Sequence, residues 1–275
     1  MTTDTNATWL VTGGGGWLGT NLLHRLVADG RRVRALVPAA EALAVRARFG
    51  GAVEVVDGDV RDQAVVAAWA AGATEPVVVH LAGVIHPRRV ADFTSINVDG
   101  TRNVVEAALA AGARRAVVMS SNSPIGTNPT REHRFDEASP YRPYLGYGRS
   151  KQAMEEFVND FHARFGLATV LVRAPWFYGP YQPPRQTLFF EMVRDGKAPI
   201  VGDGGNMRSM SYTDNLVDGI LLCAERPDAV GRTFWISDAR PYSMNEIVDT
   251  VEAMLEEDGI ACKHGRLRLP ALAGR

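Results

Sequence analysis

Tyr147 and Lys151 stand four residues apart in Tyr147-Gly148-Arg149-Ser150-Lys151, a spacing that puts a phenol and an ammonium on one face of a helix. A free phenol titrates near ~10. A close cation favours its deprotonated form and brings it toward the range where it exchanges a proton with a carbinol. Ser121, at the end of an apolar run, offers a hydroxyl to the same substrate oxygen. Far upstream lies Thr12-Gly13-Gly14-Gly15-Gly16-Trp17-Leu18-Gly19, a dinucleotide fingerprint. Gly13 permits a tight turn, Gly16 lets backbone N–H groups approach a pyrophosphate, and Gly19 lets the following helix pack closely with its positive end toward phosphate. No Lys precedes Thr20, which excludes a P-loop.

The elements that must position these groups alternate in type. Short β-branched runs at residues 9–11, 33–37, 53–56, 77–81, 116–119 and 169–172 read as strands, and their continuous apolar character predicts burial on both faces. Helical spacing predicts helices over residues 18–27, 96–111 and 147–165, closed by Asp29-Gly30, Gly112 and Gly166. The expected fold is α/β: a Rossmann-type doubly wound parallel sheet with a smaller C-terminal substrate-binding lobe. A dinucleotide-binding domain is expected over residues 1–174 and a mixed α/β lobe over residues 175–275, with residues 233–236 strand-like. Four prolines between residues 122 and 144 predict a long loop over the carboxyl edge of the sheet.

Other candidates carry less. A ribose-binding acid is expected at the end of the second strand, where Val37-Pro38 stands instead. Arg46 and Arg48 either meet a 2′-phosphate or are solvated helix charges, so the cofactor is NAD or NADP with a lean toward NADP. Asp59, after the third strand, either accepts from an adenine amino group or belongs to a cap with Asp62. His80 reads as a core residue, and His86 and His133 lack metal-ligand spacing, so no metal site is expected. Asp136-Glu137 reads as a solvated pair, and Trp69, Phe157 and Phe161 as packing.

Thirty basic against 31 acidic residues in a chain of 275 leave no field to draw it to nucleic acid or an anionic membrane. Cys223 and Cys262 are too few for a disulfide framework or a structural zinc site, which fits a reducing cytoplasm. Residues 1–7 lack the blocks of a signal peptide, and no apolar run reaches the length of a membrane span. On those grounds Asn6-Ala7-Thr8 reads as a chance sequon.

Across nearly its whole length the chain resembles the extended short-chain dehydrogenase/reductases. The resemblance is carried by residues 12–19, Asp59-Val60, His80-Leu81-Ala82-Gly83, Asn97 with Gly100-Thr101 and Asn103, Ser120-Ser121, Tyr147 with Lys151, and residues 173–180. It implies that Gly13, Gly16, Trp17, Leu18 and Gly19 hold the dinucleotide with Asp59 and Val60. It further implies that Leu81, Ala82, Gly83, Asn97 and Pro175 line the cofactor, that Tyr147 and Lys151 reach it, and that Ser121 orients the substrate. A homodimer through the helices at residues 96–111 and 147–165 is implied as well. So is a longer second lobe than the one ending at Arg275, which points to a truncation there.

Departures from the family's branches narrow the reaction. Sugar dehydratases of the family have an Asp-Glu pair after the Ser/Thr, and decarboxylases a Glu two places after it, whereas this chain has Asn122 and Ser123. Ser123 is similar to the small hydroxyl residue of the 4-epimerases, and Arg208 to the arginine that epimerases place on a sugar-nucleotide diphosphate. Trp176-Phe177 stands where many nucleotide-sugar enzymes have Asn, and an apolar ring there suits a less polar substrate. The sequence thus predicts an NAD(P)-dependent nucleotide-sugar epimerase or oxidoreductase acting on a small molecule. The alternatives are a hydroxysteroid-dehydrogenase-like ketoreductase and a non-catalytic dinucleotide sensor.

Overall fold

The computed structural model describes residues 6–130 and 132–270, so Met1–Thr5 of the polar N-terminal stretch and the end of the chain at residues 271–275 lie outside the described residues. In chain order the first half contains β1 (Thr8–Thr12), α1 (Trp17–Ala28), β2 (Arg32–Val37), α2 (Ala39–Phe49), β3 (Val53–Asp57), α3 (Gln63–Ala70) and β4 (Val77–His80). A one-turn helix α4 (Asp92–Thr94) then runs through a π turn at Ser95–Asp99 into α5 (Gly100–Ala110), followed by β5 (Arg115–Met119), α6 (Leu145–Phe165) and β6 (Thr169–Arg173). The second half holds β7 (Trp176–Tyr178), α7 (Pro184–Arg194), β8 (Pro199–Val201), β9 (Met207–Arg208), β10 (Met210–Tyr212) and α8 (Thr213–Glu225). It ends with β11 (Thr233–Trp235), β12 (Tyr242–Ser243), α9 (Met244–Glu257) and β13 (Leu267–Leu269).

Seven strands form one parallel sheet in the order β11-β6-β5-β4-β1-β2-β3. Side chains alternate across a strand, and each central strand splits its residues between two cores accordingly. Trp9 and Val11 of β1 face a core shared with α1, α2 and α8, while Leu10 faces a core shared with α3, α5 and α6. Val77 and Val79 of β4, Val117 of β5 and Val170 and Val172 of β6 join the first core, and Val78, Val118 and Leu171 the second. Burial on both faces is why these strands read as unbroken apolar runs. The expected helix at residues 96–111 begins as the π turn, and the helix expected at Tyr147 starts two residues earlier, at Leu145.

The division expected at residue 174 is crossed by the packing. β11 is the edge strand of the large sheet, and Leu216, Val217, Ile220 and Leu221 of α8 are buried in the first core beside α1. A separate third core gathers Val193, Ala198, Ile200, Met210, Met244, Ile247 and Val248 from α7, β8, β10 and α9. The chain leaves the sheet after β6, returns to it for α8 and β11, and leaves again. Period and composition report each element but not this return.

Candidate active site

The first βα turn lies at the switch point where strand order reverses, between β1 and β4. Gly13 adopts φ 70°, and a Cβ there would stand 2.7 Å from the Ala82 nitrogen, so the turn after β1 presses directly on the end of β4. A Cβ on Gly19 would overlap the Gly13 carbonyl oxygen, which forbids any side chain where α1 crosses the loop. Gly16 caps α1 without a side-chain bond, and the first turn carries no acid. Its orphan N–H groups and positive end are left for an anion. This cradle fits a dinucleotide pyrophosphate. Leu18 and Val60 are buried in the two cores, so their side chains pack, while Trp17 donates from Nε1 to the Pro180 carbonyl at 2.8 Å and packs at a tilt against Phe177.

β1 and β4 end around a buried polar string. Thr101 Oγ1 donates to the Asn97 carbonyl at 2.7 Å and therefore accepts from His80 Nε2 at 2.9 Å. Thr12 Oγ1 accepts from the Ala82 N–H at 3.2 Å and donates to His80 Nδ1 at 2.7 Å. The imidazole is neutral, and burial lowers its pKa to about 3, with the Lys151 charge adding to the effect. Asn97 is satisfied on all sides: it accepts from the Val84 N–H at 2.8 Å and donates to the Val84 carbonyl at 3.0 Å and to Ser150 Oγ at 2.9 Å. It ties the segment after β4 to α6, and Leu81, Ala82 and Gly83 lie between that tie and the glycine turn. Pro175 lies in the link from β6 to β7.

α6 carries the expected pair to the end of β5. Its entry is docked by the Tyr144 N–H on the Ser123 carbonyl at 3.2 Å and the Arg142 N–H on the Pro124 carbonyl at 2.9 Å. The Tyr147 phenol faces the Ser121 hydroxyl, which acts to lower its pKa. Ser121 Oγ also donates to Asn122 Oδ1 at 3.1 Å and lies 3.2 Å from Ser123 Oγ. Lys151 Nζ donates to the Met119 carbonyl at 2.8 Å, and a Cβ on Gly83 would stand 3.4 Å from it.

The electrostatics differ from the i, i+4 reading. Burial raises the Tyr147 pKa and only the Ser121 bond opposes it, while burial lowers Lys151 to about 8 despite the nearby Glu155 carboxylate. The ammonium is drawn to a strand carbonyl rather than to the phenol. Sequence reasoning also missed Glu155, which lies on the same helix face one turn beyond Lys151. Fully buried, it accepts from Ser120 Oγ at 2.5 Å, Tyr141 Oη at 2.9 Å and Arg173 Nη2 at 2.6 Å. The regular spacing 147, 151, 155 was its signal.

Other expectations resolve differently. Asp59 is forked with the Arg61 side chain at 2.5 and 3.0 Å, so its carboxylate is engaged, and Asp62 caps α3 through the Ala64 and Val65 N–H groups. Arg46 bonds Asp57 and the Val55 carbonyl, and Arg48 lies over the Tyr181 ring, which removes the basis for a lean toward NADP. On the far side, β9 pairs with β12, and the Arg208 guanidinium lies 5.6 Å from the centroid of Trp176, which packs edge-on against Phe189. Among the described residues no carboxylate pairs with Arg208, and Asn206 Oδ1, two residues away, is buried without a partner. Ser123 sits with Ser121, and Trp176 at the start of β7. Among the described residues no three His, Cys, Asp or Glu side chains cluster as metal ligands, and no helix is long and apolar enough to cross a membrane.

The chain is 50% identical over 96% of its length to an uncharacterised protein of Sinorhizobium fredii, covering 77% of that protein. It is 30% identical to a 4-hydroxy-2-methyl-3-oxo-4-farnesyl-3,4-dihydroquinoline-1-oxide ketoreductase of Stigmatella aurantiaca, covering 95% of this chain and 76% of the other. Among solved structures it superposes with TM-score 0.80 and 28% identity on a dTDP-glucose 4,6-dehydratase of Streptomyces venezuelae with NAD bound, covering 97% of this chain and 85% of that one. The glycine cradle at the switch point and the serine, tyrosine and lysine beside it lie inside residues 9–237, which match the model of the NAD dependent epimerase/dehydratase family, and the chain belongs to that family.

Proposed function

We propose that this chain is an NAD(P)-dependent oxidoreductase of the nucleotide-sugar epimerase type. The observation that carries the reading is Arg208: an exposed arginine of β9 whose guanidinium lies over the Trp176 indole, with no carboxylate partner among the described residues. A planar fork without a counter-ion suits a diphosphate. In this arrangement Trp176 supports Arg208 and is not reserved for an apolar substrate. Asn122 and Ser123, rather than acids, follow Ser121, which favours epimerisation over dehydration.

A bound nicotinamide supplies the hydride acceptor and donor. The chain's own part is proton transfer and orientation. Ser121 and Ser123 hold the substrate hydroxyl, and the Tyr147 phenol exchanges its proton with that oxygen. Burial keeps the phenol protonated at rest. Its deprotonation needs a nearby cation, and Lys151 is the one that α6 brings to this face.

The test is a panel of UDP-, GDP- and dTDP-hexoses assayed for interconversion of C4 epimers while nicotinamide absorbance is followed. One sugar should turn over without net cofactor change. Arg208→Ala should raise KM at least about tenfold, and Tyr147→Phe should lower kcat by about a hundredfold or more. No turnover of any nucleotide sugar, with stoichiometric reduction of a free ketone instead, would replace this reading with a second one. That second reading, a ketoreductase of a less polar substrate, is favoured by the exposed apolar side chains of Tyr144 and Leu145 just before Tyr147, and of Ile85 and Val90 in the segment leading to Phe93, whose ring centroid lies 6.3 Å from that of Tyr147.

A further inference from the structure

Around the carboxyl end of β2 the arginines are already engaged. Arg46 is paired with Asp57, Arg61 with Asp59, and the Arg48 guanidinium lies 5.2 Å from the Tyr181 ring centroid. One carboxylate in the same neighbourhood is not engaged. Glu41 occupies the first turn of α2, four residues past Val37, and its side chain folds back across the glycine-rich loop. A Cβ on Gly15 would stand 2.9 Å from the Glu41 Cβ and overlap Oε2, so nothing separates the carboxylate from the loop backbone. Among the described residues no donor reaches this half-buried carboxylate, and burial alone moves its pKa, upward.

A partly desolvated acceptor without a donor is unfavourable until a ligand supplies one. A ribose with free hydroxyls brings two O–H donors, which make short charge-assisted bonds to a carboxylate. A 2′-phosphate removes one of those donors and places a charge of about −1.5 to −2 against another anion. Arg46 and Arg61 are held in ion pairs and Arg48 rests on the Tyr181 ring, so among the described residues no arginine of this region is placed on the Glu41 side to receive that phosphate.

We infer that Glu41 recognises the adenosine ribose and selects NAD over NADP, taking from the first turn of α2 the role for which β2 ends without an acid. The assignment rests on the cofactor reading above. Purified protein is titrated calorimetrically with NAD, NADP, 5′-ADP and 2′,5′-ADP. NAD should bind at least about tenfold more tightly than NADP, and 5′-ADP more tightly than 2′,5′-ADP by a similar factor. Glu41→Gln should close most of that gap, chiefly by improving NADP. Glu41→Asp, which keeps the charge and withdraws it by one methylene, should weaken NAD while still rejecting NADP. Equal affinity for the two dinucleotides in the unaltered protein, or an unchanged ratio in folded Glu41→Gln, overturns the assignment. Binding of neither dinucleotide removes the cofactor reading itself, and this inference with it.

Discussion

Lys151 is buried and holds its charge against its surroundings. Its pKa is lowered from 10.5 to about 8, with burial the main cause. As pH rises from about 8 toward 10.5, the unfolded chain keeps a proton that the folded chain has released, so folding stability increases across that window. Below it the buried ammonium is a fixed destabilisation. Lys151→Met is therefore expected to raise stability at pH 7 by about 1 to 3 kcal/mol and to flatten the alkaline rise, while abolishing turnover. Thermal melts between pH 7 and 10 read both effects, and an unchanged or lower melting temperature at pH 7 counts against the charge being buried. The 147–151 spacing was legible as a shared helix face. The direction in which the ammonium turns was not, because it depends on the Met119 carbonyl at the end of another strand.

At the level of elements, α6 is the hinge of the site. Its face presents Tyr147, Lys151 and Glu155 in successive turns, and Glu155 fastens that face to β6 through Arg173, to the end of β5 through Ser120, and to the long loop through Tyr141. Removing one partner of a buried pair leaves a charge uncompensated. Glu155→Gln is expected to cost about 3 to 5 kcal/mol in urea denaturation, with the Tyr141 segment more susceptible to limited proteolysis. A cost under about 1 kcal/mol would mean that the pair does not anchor the helix. Parallel strands and the glycine turn were legible because two-sided burial and a pyrophosphate turn each leave a dense local pattern. Glu41 was missed because the acid was sought at the tip of β2, not a turn into α2.

The molecule as a whole is not two lobes in series. α8 belongs to the first core, where Leu216 is fully buried, and Arg31 and Arg25 of the β1–β2 half reach Glu225 and Asp218 of α8 at 2.6 Å. Leu216→Ala should lower stability by about 2 to 5 kcal/mol. It should also weaken dinucleotide binding, although residue 216 lies beyond the expected boundary at residue 174. Calorimetry should show the main transition shifting as one. A shift confined to a minor transition, with cofactor affinity intact, would restore the serial picture. The return of α8 and β11 escaped sequence reasoning because nothing in Thr233-Phe234-Trp235 states which strand will be its neighbour.

That return has a consequence during synthesis. β6 is buried along its whole length, and its outer partner is β11, which begins 60 residues after β6 ends. At a ribosomal rate of about 5 to 20 residues per second, the hydrogen-bonding rim of Thr169–Arg173 waits several seconds for its neighbour. Throughout that interval the nascent sheet carries an apolar, unpaired edge, the kind of template on which a second copy can pair. The order in which the strands emerge therefore opens an interval before β11 appears in which chaperone capture and edge-to-edge aggregation compete for the same strand.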